Sequence, residues 1–146
     1  MIQSLKSLYN RDLNKLKVEI ESYVNEQSIW KTDQNISNSA GNLCLHLVGN
    51  LNTYIGSELG KTGYVRNREL EFSLKDIPKT ELIKKVESTI KMIDSTLDGL
   101  SQEDLGKDYP TEALGYKMTT GYFLIHLLSH LNYHLGQINY HRRLLD

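Results

Sequence analysis

The chain holds five histidines, and His126, His130, His134 and His141 follow one another at helical spacings. Residues four apart on a helix present their side chains on one face, with Cβ atoms about 5–6 Å apart, so two imidazoles so placed can grip one metal ion. His126/His130 and His130/His134 both have this spacing. Alone, an HxxxH pair is a weak signal. The fifth histidine, His46, sits in Leu43-Cys44-Leu45-His46-Leu47-Val48-Gly49-Asn50. As a third imidazole it would complete a three-ligand site whose open position admits water or substrate. His141, followed by Arg142 and Arg143, reads as outer support for such a site or as surface.

The distribution of charge says where these rings sit. From Gln34 to Ser57, and again from Met118 to His141, there is no Asp, Glu, Lys or Arg. Helices with solvent faces carry Lys and Glu there, so both stretches are expected to be enclosed by the rest of the fold or by a partner subunit. Each nevertheless carries a polar stripe: Asn42, His46, Gly49, Asn50, Thr53 and Ser57 on one, His126, His130, Tyr133, His134, Gln137 and His141 on the other. Enclosed polar groups need partners, so the stripes imply a polar cavity, a hydrogen-bond network or a metal. If they face each other they line one pocket, with Asn42, Asn50, Tyr133 and Gln137 as its further residues; Tyr64 and Tyr116 are also placed to reach a ligand. Arg66 and Arg68 are available to an anionic substrate group, although a solvated loop charge is the plainer account. The chain has no HExxH motif, Gly-rich phosphate loop, CxxC pair or nucleophile elbow.

Four amphipathic stretches must position these residues. Apolar residues recur at steps of three and four from Met1 to Glu26. A second helix is expected from Ser37 or Ser39 to Leu59, with Gly60 as its stop, and a third from Thr80 to near Gly99. A fourth runs from Thr119 or Thr120 to about Leu144. The connection from Gly60 to Lys79 is long enough to travel a helix length and is expected to cross over in extended form. The second and third helices then run parallel. The resulting expectation is an all-α fold, a four-helix bundle of up-down-down-up order.

At 146 residues the chain fits one domain, here taken as 1–146. Lys plus Arg number 17 against 18 Asp plus Glu, a net charge of -1, which offers no basic field to nucleic acid or an anionic membrane. The single cysteine, Cys44, reads as a small buried hydrophobe. Met1 to Leu16 mixes charges among its apolar residues, unlike a signal peptide, and no run reaches the ~20 apolar residues of a membrane span. A cytoplasmic location is expected.

The segment His130-Leu131-Asn132-Tyr133-His134-Leu135-Gly136-Gln137-Ile138, taken with His46 in its own segment, resembles the DinB-like superfamily of bacterial four-helix-bundle metalloproteins. The resemblance covers essentially the whole chain. It implies a bundle whose second and third helices are parallel, and a divalent metal, often zinc or nickel, held by one histidine of the second helix and two of the fourth. Carried over by position these are His46, His130 and His134, because the family uses the HxxxH pair immediately before GQI, which leaves out His126. Relatives of known activity transfer or isomerise with low-molecular-weight thiols such as mycothiol or bacillithiol, the metal activating the thiol. The run Gly63-Tyr64-Val65-Arg66-Asn67-Arg68-Glu69-Leu70-Glu71-Phe72 marks an uncharacterised branch.

Three functions follow as expectations. The first is a metal-dependent enzyme acting on a small molecule, a thiol-dependent transferase with the thiol as cosubstrate. A hydrolase on the same ligands is its alternative, disfavoured because neither uncharged stretch contains a carboxylate base. The third is a homodimeric binding or scaffold protein with a structural metal, since apolar surface on uncharged helices favours self-association. Histidines joined in a network without metal remain the plainest reading.

Overall fold

A computed structural model describes all 146 residues, and the fold is all-α, with five α-helices and no strand. Helix α1 (Ile2–Glu21) buries Leu5, Tyr9, Leu13, Leu16 and Ile20, the stripe its sequence marks out. It ends before the expected Glu26, and a 3₁₀ turn, Glu26–Trp30, follows, capped by the Asn25 side chain accepting from the Gln27 N–H. This turn buries Ile29 and Trp30 against the start of α2 (Ala40–Leu51).

The Ser39 side chain caps α2 by accepting from the Asn42 N–H, and every residue of that helix except Val48 is buried. The second helix does not continue regularly to Leu59. Residues Asn52–Ser57 form a wider π-helical turn. Two side chains compete there for backbone carbonyls one turn back: Asn52 Nδ2 donates to Val48 O at 2.8 Å and Thr53 Oγ1 to Gly49 O at 2.7 Å.

The segment from Gly60 to Lys79 differs from the extended crossover expected of it, because it contains a short helix, α3 (Arg68–Ser73). The Asn67 side chain accepts from the Leu70 N–H, and Glu69 and Glu71 lie in the first turn, where carboxylates are favoured. Gly63, at φ 76°, supplies a left-handed turn upstream. From α2, Asn42 Nδ2 donates to Glu71 O at 2.9 Å and Leu74 O at 2.8 Å, holding the end of α3 down. Helix α4 (Lys79–Asp98) and helix α5 (Thr120–Leu145, capped by Thr119) follow.

Partner numbers give the helix directions. Between α1 and α4 they run oppositely, Lys6 with Asp98, Asn10 with Asp94 and Lys17 with Glu87. Between α1 and α5 they rise together, Tyr9 with Leu124, Asp12 with Asn132 and Glu19 with Arg142. From the end of α2 onward, Asn52 donates to Thr89 of α4, and positions 56 and 60 lie against Met92 and Thr96 of the same helix. No helix is long and apolar enough to cross a membrane.

Helix α2 is enclosed by the chain itself, whereas one side of α5 is left open by it. Tyr122 (53%), Ile125 (47%), Tyr133 (66%) and Tyr140 (63%) are exposed, because no other part of the chain covers that side of α5. His141 is not surface either: it is buried, accepts from Tyr23 O–H at Nδ1 (2.6 Å) and donates from Nε2 to Lys31 O (2.8 Å).

The seat of α2 on Trp30 is a point where the packing has no slack. A Cβ built on Gly41 meets the Trp30 ring at 2.6–2.7 Å, and the ring is rigid. Gly41→Ala is expected to destabilise the protein by about 1–3 kcal/mol through overpacking, read as a lower denaturant midpoint at unchanged slope.

Candidate metal centre

Helices α2 and α5 bring their polar stripes together. The Tyr54 ring packs edge-on against Phe123 with centroids 5.3 Å apart, while His46, two turns earlier on the chain, faces His130 at 5.1 Å and His134 at 5.3 Å. His130 Nε2 lies 3.3 Å from His46 Nε2 and 3.1 Å from His134 Nε2. One nitrogen from each of the three rings lies within 4.8 Å of the others, a cluster able to hold a metal ion. Four-coordinate zinc, with Zn–N about 2.0–2.1 Å, separates its ligand nitrogens by roughly 3.3 Å, close to both measured distances.

Two of the rings are locked with that nitrogen free. His46 Nδ1–H donates to Glu71 Oε1 at 3.1 Å, and His134 Nδ1–H donates to Gln137 Oε1 at 2.7 Å. A ring that donates from Nδ1 keeps its Nε2 lone pair for an ion, and such outer partners fix both tautomer and orientation. The third ring lacks this support, since His130 Nδ1 is buried without a hydrogen-bond partner. Asn50 Oδ1, one turn beyond His46, is likewise buried and unpartnered. The donor set, three imidazoles with no thiolate and no carboxylate, fits a borderline divalent ion.

The carboxylate behind His46 is fixed from three directions. Arg66 Nε donates to Glu71 Oε2 at 2.8 Å and Arg66 Nη2 to Oε1 at 2.9 Å, a bidentate pair whose Arg side chain is only 15% exposed. Helix α3 is tied to α2 by Asn42, as described above, and Gly49 leaves room for the carboxylate: a Cβ there would collide with Glu71 Oε2. The glycine is required by this close approach.

Of the residues singled out by sequence, His46, His130 and His134 come together, Gln137 supports His134, and Asn42 holds α3. Arg66 is no solvated loop charge and binds Glu71 in place of a substrate anion. Arg68 lies over the Phe72 ring at 5.2 Å, and that ring stands between it and His46, 5.0 Å from the imidazole. Tyr133 is exposed and touches His134 ring to ring at 5.3 Å. Tyr64 is on the exposed crossover, and Tyr116 pairs with Tyr122 at 3.1 Å, apart from the triad. His126 stacks on Phe123 and is not among the clustered rings. Sequence reasoning missed Glu71, and with it the role of Gly49. The signal was available in Asn67 followed by Glu69, Leu70 and Glu71, a cap with an acidic first turn.

Burial sets the protonation of the cluster. The His130 imidazole is pushed down to about 4, first by desolvation and then by its neighbours His134 and His46. Desolvation lowers His46 too, against the opposing pull of Glu71. Both rings are neutral at pH 7, the form that binds metal.

A family profile described as "Protein of unknown function (DUF1572)" matches residues 2–146. The chain belongs to this family. No curated protein matches it. In this DUF1572 member the cluster able to hold a metal ion is the triad of His46, His130 and His134, with Glu71 behind it.

Two outcomes are expected. Glu71→Gln removes the acceptor that holds His46, and Gly49→Ala displaces the same carboxylate; each is expected to weaken zinc binding about 10–100-fold, measured by competition with a chromogenic chelator. In the metal-free protein, the unfolded chain protonates these two histidines near pH 6.5 while the folded chain resists until lower pH. The unfolded state binds more protons in that window, so stability falls as pH drops from 6.5 toward 4. Urea midpoints for wild type and His130→Leu should diverge in this window, the wild type losing more.

Proposed function

We propose that this chain is a DinB-like metalloprotein, an up-down-down-up four-helix bundle in which α2 and α4 run parallel, and that it is a thiol-dependent transferase acting on a small molecule. His46, His130 and His134 hold a divalent ion, zinc or nickel. The observation that carries the reading is the convergence of three imidazole nitrogens within 4.8 Å, two of them with Nδ1 already committed to an acceptor.

A divalent ion with an open position lowers the pKa of a bound thiol or water, presenting a nucleophile at neutral pH. The chain's own residues do the rest. Glu71 and Gln137 keep the rings of His46 and His134 aimed, and Arg66 holds Glu71 in place. The choice of thiol over water rests on the same carboxylate. Both oxygens of Glu71 are engaged, Oε1 with His46 and Arg66, Oε2 with Arg66, so Glu71 is not free to take a proton from water. A thiol is acidic enough to need no such base. Hydrolysis on these ligands stays the alternative.

The exposed Tyr122 and Ile125 on the uncharged face of α5 support a homodimer. Sedimentation is expected to give a dimer for wild type and a monomer for Ile125→Glu; a monomeric wild type contradicts this assignment.

Metal analysis of untagged protein is expected to find about one ion per chain in wild type and a large loss in His46→Ala. Equal metal in both proteins contradicts the ligand set. Metal-loaded protein given an aryl halide and a panel of low-molecular-weight thiols is expected to form the thioether with one of them; turnover with water alone would make it a hydrolase. A metal that only ties α2 to α5 predicts that His130→Ala lowers the melting temperature as much as chelation does and that no thiol is consumed.

A further inference from the structure

A cavity of about 450 Å³ lies beside the triad, between α5 and the loop that precedes α2, with His134 in its wall. Its size falls in the range of small-molecule sites. None of its eleven lining residues is Asp, Glu, Lys or Arg.

The two histidines in the wall do not supply a charge either. His134 donates from Nδ1 to Gln137 and turns Nε2 to the triad, while His141 has both nitrogens engaged, with Tyr23 and with Lys31 O. Arg66, the cation nearest His46, is paired with both oxygens of Glu71. Arg143 lies outside the lining, with its guanidinium over the Tyr140 ring at 5.3 Å, so the wall itself offers a charged ligand no counter-charge in exchange for the water it gives up. What the wall does offer is ring surface from Tyr133 and Tyr140, aliphatic surface from Leu43 and Leu144, and amides. The Gln137 amide oxygen is taken by His134, which leaves its NH₂ as a donor to a ligand carbonyl or hydroxyl.

We propose that this cavity is the substrate site of the metal centre and that it selects an uncharged, ring-bearing molecule with an amide, carbonyl or hydroxyl group. This rests on the metalloenzyme reading above and narrows it: a substrate or thiol whose recognition needs a carboxylate finds no free cation in this wall. The ring lies against Tyr133 and Tyr140, where aromatic contact adds to area burial. The polar group meets Gln137, next to the ring that carries the ligating nitrogen of His134.

Three probes of one shape separate the possibilities: benzamide, benzoate and benzylamine, titrated by calorimetry or ligand-observed NMR into zinc-loaded and metal-stripped protein. The metal-stripped arm removes direct ligation of benzoate by the ion. Benzamide is expected to bind saturably in both arms and at least tenfold more tightly than either charged probe in the metal-stripped one. Tyr140→Ala and Leu144→Trp alter exposed wall residues, so the fold survives both. Each is expected to weaken benzamide at least threefold with zinc content unchanged. Absent benzamide binding, charged probes that bind as well in the metal-stripped protein, or variants that leave benzamide affinity intact overturn the proposal. Selective benzamide binding by a protein that takes up no zinc overturns the metal reading instead, and with it the cavity's role as that centre's substrate site.

Discussion

His46 and His134 have each spent their Nδ1 hydrogen on an oxygen, and what remains to them is an Nε2 lone pair. Both pairs point toward His130 Nε2, at 3.3 Å and 3.1 Å. Three such atoms cannot all be satisfied by one another. A proton on His130 Nε2 serves one neighbour at a time, and an added proton on the cluster is disfavoured because burial holds His130 near 4. A divalent cation accepts all three lone pairs at once. The remaining features of the site read as the means of keeping the lone pairs aimed.

Those means come from three separate parts of the chain. Helix α2 is buried nearly all round, which fixes His46 in depth and rotation. Helix α5 supplies His130 and His134 one turn apart, together with Gln137, which reaches back to His134. Helix α3, only six residues long, contributes Glu71 and is itself held by Asn42. Arg66 closes the arrangement by neutralising the carboxylate. A buried ion pair of this kind is weak evidence for stability, and here its use is orientation of an imidazole. The cavity beside His134 is lined without charge, so its wall meets a ligand with ring faces, aliphatic surface and amides.

Much of this was legible in the residue order. The all-α class followed from apolar spacing, and α4 and α5 begin and end within about two residues of their sequence signals. Spacing and the two polar stripes brought His46 together with either His126/His130 or His130/His134, and the DinB-like resemblance selected the second pair. The crossover hid the rest. Its short helix is stabilised by a cap and by tertiary bonds to Asn42, neither of which leaves a periodic apolar pattern. Glu71 therefore looked like one acid in a charged loop, although it is buried. The π-helical turn at Asn52–Ser57 was equally silent, because it arises from Asn52 and Thr53 side chains competing for backbone carbonyls. The exposed face of α5 shows the converse, where absence of charge did not mean enclosure by the same chain.

The most direct measurement is the nitrogen-15 NMR spectrum of the imidazoles before and after one equivalent of zinc, which reports tautomer and ligation ring by ring. Before zinc, His46 and His134 should carry hydrogen on Nδ1. After zinc, the Nε2 resonances of His46, His130 and His134 should all move to metal-bound positions while those of His126 and His141 stay where they were. A spectrum in which the His46 ring holds its hydrogen on Nε2, or in which zinc leaves that ring unmoved, contradicts the account.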